Sequence, residues 1–306
     1  MVQRALDLEV NYQAGIIDSH CHLDLILNSR YKKNMSLTDF ILQSNDFHTI
    51  PSHLFRGAIS NFIDPNYYHT AYNIVVNQPE IYASFGLLPC FSNQWDDRVS
   101  HQVQYYLDNM ERVIGVGEMG LDYSRNPSSL NIDLQKAAFC DQLAIATRRA
   151  LVPIIHCRLA FSDIFSILKE RVAPNSKIHW HGTTLYDKQL RQLTNHFPNV
   201  YFSFSPAICK IGPRSRLALN NVSKLPLSRL LIESDAPYFN EPGQISAFPW
   251  NCAQVISTIS HIMQIPPHSL AEELNANLLR LYGIEFPRQP YRQVISTRIR
   301  ALYNKP

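Results

Sequence analysis

Five short clusters of ionisable side chains stand out along the chain. They are Asp18-Ser19-His20-Cys21-His22, Gly117-Glu118, His156-Cys157-Arg158, His179-Trp180-His181 and Glu233-Ser234-Asp235, and each ends a short apolar run. In extended chain, side chains two apart point to the same side, so His20 and His22 can grip one divalent ion. A carboxylate from the run ending at Glu118 and another from Asp235 complete a nitrogen and oxygen donor set suited to zinc, manganese or a similar cation. A lone His-x-His is commonly an accident of surface or core, and a single histidine after a strand is commonly just hydrogen-bonded there. The coincidence at five run ends is what carries the reading.

The elements that must position these groups are brief and mostly apolar throughout, as in parallel strands covered on both faces. The spacing predicts strands over 15–19, 57–62, 81–86, 113–117, 152–155, 177–180, 200–204 and 230–233. Amphipathic stretches lie between them, the clearest predicting a helix over 133–150, with Phe139, Leu143 and Ala146 on one face. Pro153 disfavours helix just before it and makes that end abrupt. Eight such alternations fit a (β/α)8 TIM barrel, in which functional residues collect at the C-terminal ends of the strands. A doubly wound open sheet is the competing α/β arrangement, and periodicity does not separate the two. We expect one domain over 1–306, with a barrel core of about 15–284 and a basic tail over 285–306 holding Arg288, Arg292, Arg298, Arg300 and Lys305. The segment 28–52 is longer than a minimal connection and reads as an elaborated loop near the site.

Composition sets outer bounds. With 45% apolar and 17% charged residues over 306 positions, the chain can build a sizeable core and is not disordered. A formal charge of +3 gives no global nucleic-acid signature but leaves room for a local basic cleft. Only 10 glycines occur, so most should stand where a turn or a close backbone approach demands one. The six cysteines are scattered, with no Cys-x-x-Cys pair, which points to a reducing compartment, cytoplasmic or nuclear, rather than to secretion. We find no leader sequence, and no apolar run of about 18 residues that would span a membrane.

The segments 17–24 (Ile-Asp-Ser-His-Cys-His-Leu-Asp), 116–123 (Val-Gly-Glu-Met-Gly-Leu-Asp-Tyr), 153–158 (Pro-Ile-Ile-His-Cys-Arg) and 231–238 (Leu-Ile-Glu-Ser-Asp-Ala-Pro-Tyr) together resemble the TatD-related metal-dependent deoxyribonucleases, barrel enzymes of the amidohydrolase superfamily. The resemblance runs from Ile17 to about Tyr282 and includes Leu274-Asn275-Ala276-Asn277. It implies one divalent ion held by His20, His22 and Asp235, with Glu118 bridging to a second held by His156 and His179. Zinc, magnesium and manganese all suit such ligands, and iron is compatible. Two ions ~3.5–4 Å apart clamp the attacking and leaving oxygens of a phosphodiester. Asp235 and Glu118 would be the catalytic carboxylates, Asp235 also taking a proton from the attacking water. Arg158 would bind a substrate phosphate in bidentate fashion. Asp18 and Asp122 would orient ligands from behind, while Asp24 caps or pairs, and Asn277 caps or packs.

The pattern breaks in two places. Where the family usually reads Gly-x-His-Pro, this chain has Gly86-Leu87-Leu88-Pro89, so a phosphate-binding histidine is replaced by Leu88. His48, His53 or His69 could compensate. After the sixth strand, His179-Trp180-His181-Gly182 is one residue shorter than the family's His-x-Phe-x-Gly. We assign the ligand to His179, which continues the strand directly, with His181 as the rival. The expected function is hydrolysis of DNA phosphodiesters, at single-stranded or frayed ends, as in DNA catabolism. Alternatives are hydrolysis of another ester, amide or phosphorylated substrate, or a metal-stabilised barrel serving as a partner in a protein assembly, with no membrane involved.

Overall fold

Short runs of β-branched and aromatic residues, apolar on both faces, pair best as parallel strands under a layer of helices. The computed structural model describes residues 15–27, 55–76, 78–240 and 246–286. It has eight such strands: β1 (Ile16–Cys21), β2 (Phe55–Phe62), β3 (Ile81–Phe85), β4 (Val113–Asp122), β5 (Val152–Arg158), β6 (Ile178–Trp180), β7 (Val200–Phe204) and β8 (Leu230–Ile232). All neighbours are parallel in the order β1 to β8. The sheet is a nearly closed barrel, so the open-sheet alternative falls away. The polar clusters lengthen the strands beyond the apolar runs. β1 continues to Cys21, β4 to Asp122 and β5 to Arg158, because the backbone stays paired while the side chains face the barrel mouth.

The eight α-helices among the described residues are α1 (Leu23–Leu27), α2 (Asp97–Asn109), α3 (Ser129–Arg148), α4 (Phe161–Arg171), α5 (Asp187–His196), α6 (Pro213–Lys224), α7 (Cys252–Met263) and α8 (Pro267–Tyr282). α3 starts a turn earlier than its apolar face suggests, because the Ser128 hydroxyl caps it by accepting from the Asn131 amide at 3.2 Å. Its buried face is the expected one, with Phe139, Leu143 and Ala146 against the barrel. Phe85, Trp180, Phe202 and Phe204 are core, and Phe85 stacks between Phe62 and Tyr106 at 5.1 and 4.7 Å. None of the described helices is long and apolar enough to cross a membrane. The expected loop over 28–52 with His48, and His53, lie outside the described residues, as does the tail from 287 onward.

The seam between the first and last strands brings two of the ionisable clusters together. The Asp235 amide donates to the His20 carbonyl at 3.0 Å and the His22 amide to the Ala236 carbonyl at 2.8 Å. Asp18, fully buried, accepts from the Ser234 amide at 2.9 Å, the Ser234 hydroxyl at 2.5 Å and the His20 amide at 3.0 Å. Its carboxylate ties the end of β1 to the residues after β8. Burial pushes its pKa up to about 7, with the Ser234 and His20 hydrogen bonds pulling the other way.

Behind this seam, Asn277 of α8 donates to the Leu227 and Leu230 carbonyls at 2.7 and 2.8 Å, so it packs the helix onto the start of β8, as one of its two expected roles requires. Replacing it by leucine removes a donor from each carbonyl, of which Leu230 is buried. Asn277→Leu is expected to cost about 1–3 kcal/mol in urea unfolding; an unchanged midpoint would deny it that structural role.

Candidate metal centre

Glu118 enters the barrel through a break in the β4 ladder, where the register to β5 shifts between Val116 and Met119. Such bulges re-aim a side chain, and two glycines permit this one. Gly117 (φ +136°) and Gly120 (φ +151°) take conformations that other residues rarely adopt. A Cβ on Gly120 would lie 1.9 Å from the His156 carbonyl oxygen, so only glycine lets β4 and β5 approach this closely.

The two oxygens of Glu118 face two different groups of imidazoles. Oε2 lies 3.1 Å from His20 Nε2 and 3.6 Å from His22 Nε2, while Oε1 lies 2.6 Å from His156 Nδ1 and 3.5 Å from His181 Nε2. Asp235 likewise turns Oδ1 to His22 and His20, at 3.5 and 3.9 Å, and Oδ2 to His181 at 4.0 Å. Apart from His156, every one of these groups is almost fully enclosed.

Spacing tests whether a cation suits the first group. Ligands about 2.0–2.2 Å from a tetrahedral ion stand roughly 3.3–3.6 Å apart along its edges. The four histidine–carboxylate separations, from His20 and His22 to Glu118 and Asp235, run from 3.1 to 3.9 Å and bracket that range, and His20, His22 and Glu118 lie close enough together to share one ion. The lone pairs point the right way too. His22 Nδ1 donates to the Asn61 carbonyl at 2.9 Å, leaving Nε2 toward the carboxylates. The second group of donors, Glu118, His156 and His181, is also close enough to share an ion. Its tightest pair, His156 and Glu118, sits at direct hydrogen-bond distance rather than at the spacing of two ligands. The residues present therefore fit a divalent metal, the first group as it stands.

His179 is not brought to this cluster. Its Nδ1 meets the Tyr282 hydroxyl at 2.7 Å and its Nε2 the Ser203 hydroxyl at 2.9 Å, so both nitrogens are engaged below the carboxylates. Register explains the correction. Ile154 lies opposite His179 in the β5–β6 pairing, which puts His156 opposite the residue two further on, His181. His179 and His181 share a side of the strand, but only His181 stands at the level of Glu118. Its Nδ1 donates to Glu233 at 2.9 Å, and Nε2 then faces the site.

The remaining expected residues surround the opening. Arg158 lines a cleft of about 630 Å³ with His22, Glu118, His156 and Leu88, and also an adjoining cleft of about 470 Å³ over β5 to β7. Asp122 is 3.5 Å from His156 Nε2, and its carboxyl is held well below the usual range, the His156 and Ser124 hydrogen bonds outweighing burial. Asp24 is buried in the first turn of α1, and burial pushes it up to about 6 against the pull of His22 and of the backbone N–H groups of Leu25 and Asp24 itself. His69 is exposed and does not line either cleft. Three contributors escaped the sequence reading. Arg125 joins the rim, Glu233 holds His181, and the β2 backbone at Asn61 sets the orientation of His22. The polar residues Ser203 and Glu233 at the ends of apolar strands were the available signal.

Charge in the cluster is self-compensating. Burial alone would raise the carboxyl of Glu118, but His181 and His20 beside it hold it well below its ordinary value, and Asp235 is lowered likewise by His181 and His22. Burial works to lower His22 and His181, yet the facing carboxylates overcome it and push them up to about 9 and about 10. Both rings therefore hold protons at neutral pH until a cation replaces them. Against burial, His156 is raised as well, by Asp122 and Glu118, so zinc added at pH 7 is expected to release two or more protons, counted by calorimetry in buffers of different ionisation heat, with apparent affinity rising with pH. Proton-free binding with flat affinity between pH 6 and 8 would contradict this.

Comparison with known proteins adds to the geometry. The profile of the family described as TatD related DNase matches residues 17–283. The human 3'-5' RNA nuclease TATDN2 is 30% identical over 90% of this chain, which spans only 36% of that longer protein. The 3'-5' ssDNA/RNA exonuclease TatD of Enterobacter lignolyticus is 27% identical over 66% of this chain and 78% of its own length. Among solved structures, the TATD homolog YJJV of Escherichia coli superposes with a TM-score of 0.75 at 23% identity, covering 89% of this chain and all of that one. A TatD family hydrolase of Entamoeba histolytica gives 0.72 at 18% identity, over 89% and 99%.

Proposed function

Since this chain belongs to the TatD-related DNase family, we propose that it is a metal-dependent hydrolase that cuts phosphodiester bonds at single-stranded or frayed ends of DNA or RNA. The observation that carries the reading is Glu118, whose two oxygens are divided between His20 with His22 and His156 with His181. RNA joins DNA as a candidate because relatives are named as nucleases of RNA and of both strands' chemistries.

When bound, divalent ions polarise a phosphoryl oxygen and lower the pKa of water toward neutrality. His20, His22, Glu118 and Asp235 would hold one ion, and Glu118, His156 and His181 a second. Asp235, ionised among imidazoles, accepts the proton of the attacking water. Arg158, on the rim shared by both clefts, holds the substrate phosphate with its fork of N–H donors. Arg125 adds a second cation to the lining of the larger cleft. Asp122 fixes the His156 ring through its far nitrogen.

Leu88 lines the larger cleft where the family pattern has histidine, so the mouth is more apolar and offers one donor fewer. That favours, as a second reading, a less charged ester or another phosphorylated substrate. The six cysteines are all free thiols, supporting a reducing compartment.

The test is cleavage of end-labelled single-stranded DNA and RNA by chelator-stripped protein resupplied with magnesium, manganese or zinc. Cleavage is expected only with metal, and Asp235→Asn is expected to lower kcat by about 10²–10⁴-fold. Folded, metal-loaded protein that cuts neither strand, yet turns over small esters or phosphomonoesters, would move the assignment to the second reading.

A further inference from the structure

His179 is spent on something other than the cluster, and what it touches forms a continuous path. Tyr282 at the end of α8 meets His179 Nδ1 at 2.7 Å, and His179 Nε2 meets the Ser203 hydroxyl of β7 at 2.9 Å. Ser203 in turn donates to Glu233 Oε2, the same oxygen that accepts from His181 Nδ1 at 2.9 Å. We propose that His179 is a positioning residue, the middle link of a relay Tyr282–His179–Ser203–Glu233–His181 that holds His181 with its Nε2 toward Glu118. The inference rests on the reading of His181, not His179, as a metal ligand.

Proton counting gives the relay a direction. The Tyr282 hydroxyl has one proton, and burial with Glu233 nearby pushes its pKa well above the ordinary phenol, so it donates. A neutral imidazole that accepts at Nδ1 carries its own hydrogen at Nε2. His179 then donates to Ser203, and the single Ser203 proton is free to go to Glu233. In the opposite tautomer, Nε2 of His179 would compete for that proton and Glu233 would lose a donor. Glu233 has no exposed surface, and its other oxygen accepts from the Gly182 amide at 3.0 Å. With all three donors in place it cannot turn, and His181 Nδ1 has a fixed acceptor. A carboxylate behind a ligand histidine fixes ring orientation and tautomer and raises the ring's basicity. Here the fixing extends three side chains further, through Ser203 of β7 and His179 of β6 to Tyr282 at the end of α8.

The test compares Tyr282→Phe, His179→Leu, His179→Gln and His181→Ala with the unaltered chain. Readouts are zinc affinity by chelator competition, the visible spectrum of the cobalt-substituted protein, and the urea midpoint. Tyr282→Phe and His179→Leu are expected to weaken zinc binding about 10–100-fold and to shift the cobalt bands. His179→Gln, which can accept at one end and donate at the other, should recover most of the affinity. Should His179→Leu fail to fold, Tyr282→Phe, which removes one hydroxyl, decides alone. Unaltered affinity and spectrum in Tyr282→Phe and in folded His179→Leu, with both lost in His181→Ala, would overturn the relay alone. Zinc affinity and spectrum unmoved in His181→Ala would overturn the ligand reading beneath it.

Discussion

One carboxylate organises the mouth of this barrel. Glu118 is buried among four imidazoles and stays ionised because they surround it, while two of those rings stay protonated because it and Asp235 face them. Each charge is affordable only in company, since an isolated buried carboxylate would simply take up a proton. A divalent ion relieves the same arrangement by replacing protons with a denser positive charge. The cluster is thus built at the spacing and polarity a cation needs.

Much of the architecture exists to deliver those groups to one level. The bulge at Gly117 to Gly120 turns Glu118 inward, the β1–β8 seam locks His20 and His22 against Asp235, and the β5–β6 register sets His156 beside His181. Asp18 and Glu233 are fully buried behind the ligand side chains. They hold backbone and rings, and their desolvation is compensated by three donors each.

The eight strands and the clusters at their ends were legible in the sequence because apolar runs and period-two spacing are local properties. The assignment at β6 was not. His179 and His181 lie on the same side of an extended chain, so alternation treats them alike, and continuity with the strand favoured the wrong depth. Depth is set by pairing with β5, which no local pattern encodes. The hold on His22 was equally hidden, because its partner at Asn61 is a backbone carbonyl and carries no side-chain signature. Asp24, at a helix start as its sequence suggests, is nonetheless fully buried, a depth that composition cannot reveal.

Glu118 as the shared ligand is tested most directly by anomalous scattering from crystals soaked in zinc or manganese. A peak is expected enclosed by His20, His22, Glu118 and Asp235, and a second on the other oxygen of Glu118, beside His156 and His181. Density beside His179, or none within reach of Glu118, would contradict it.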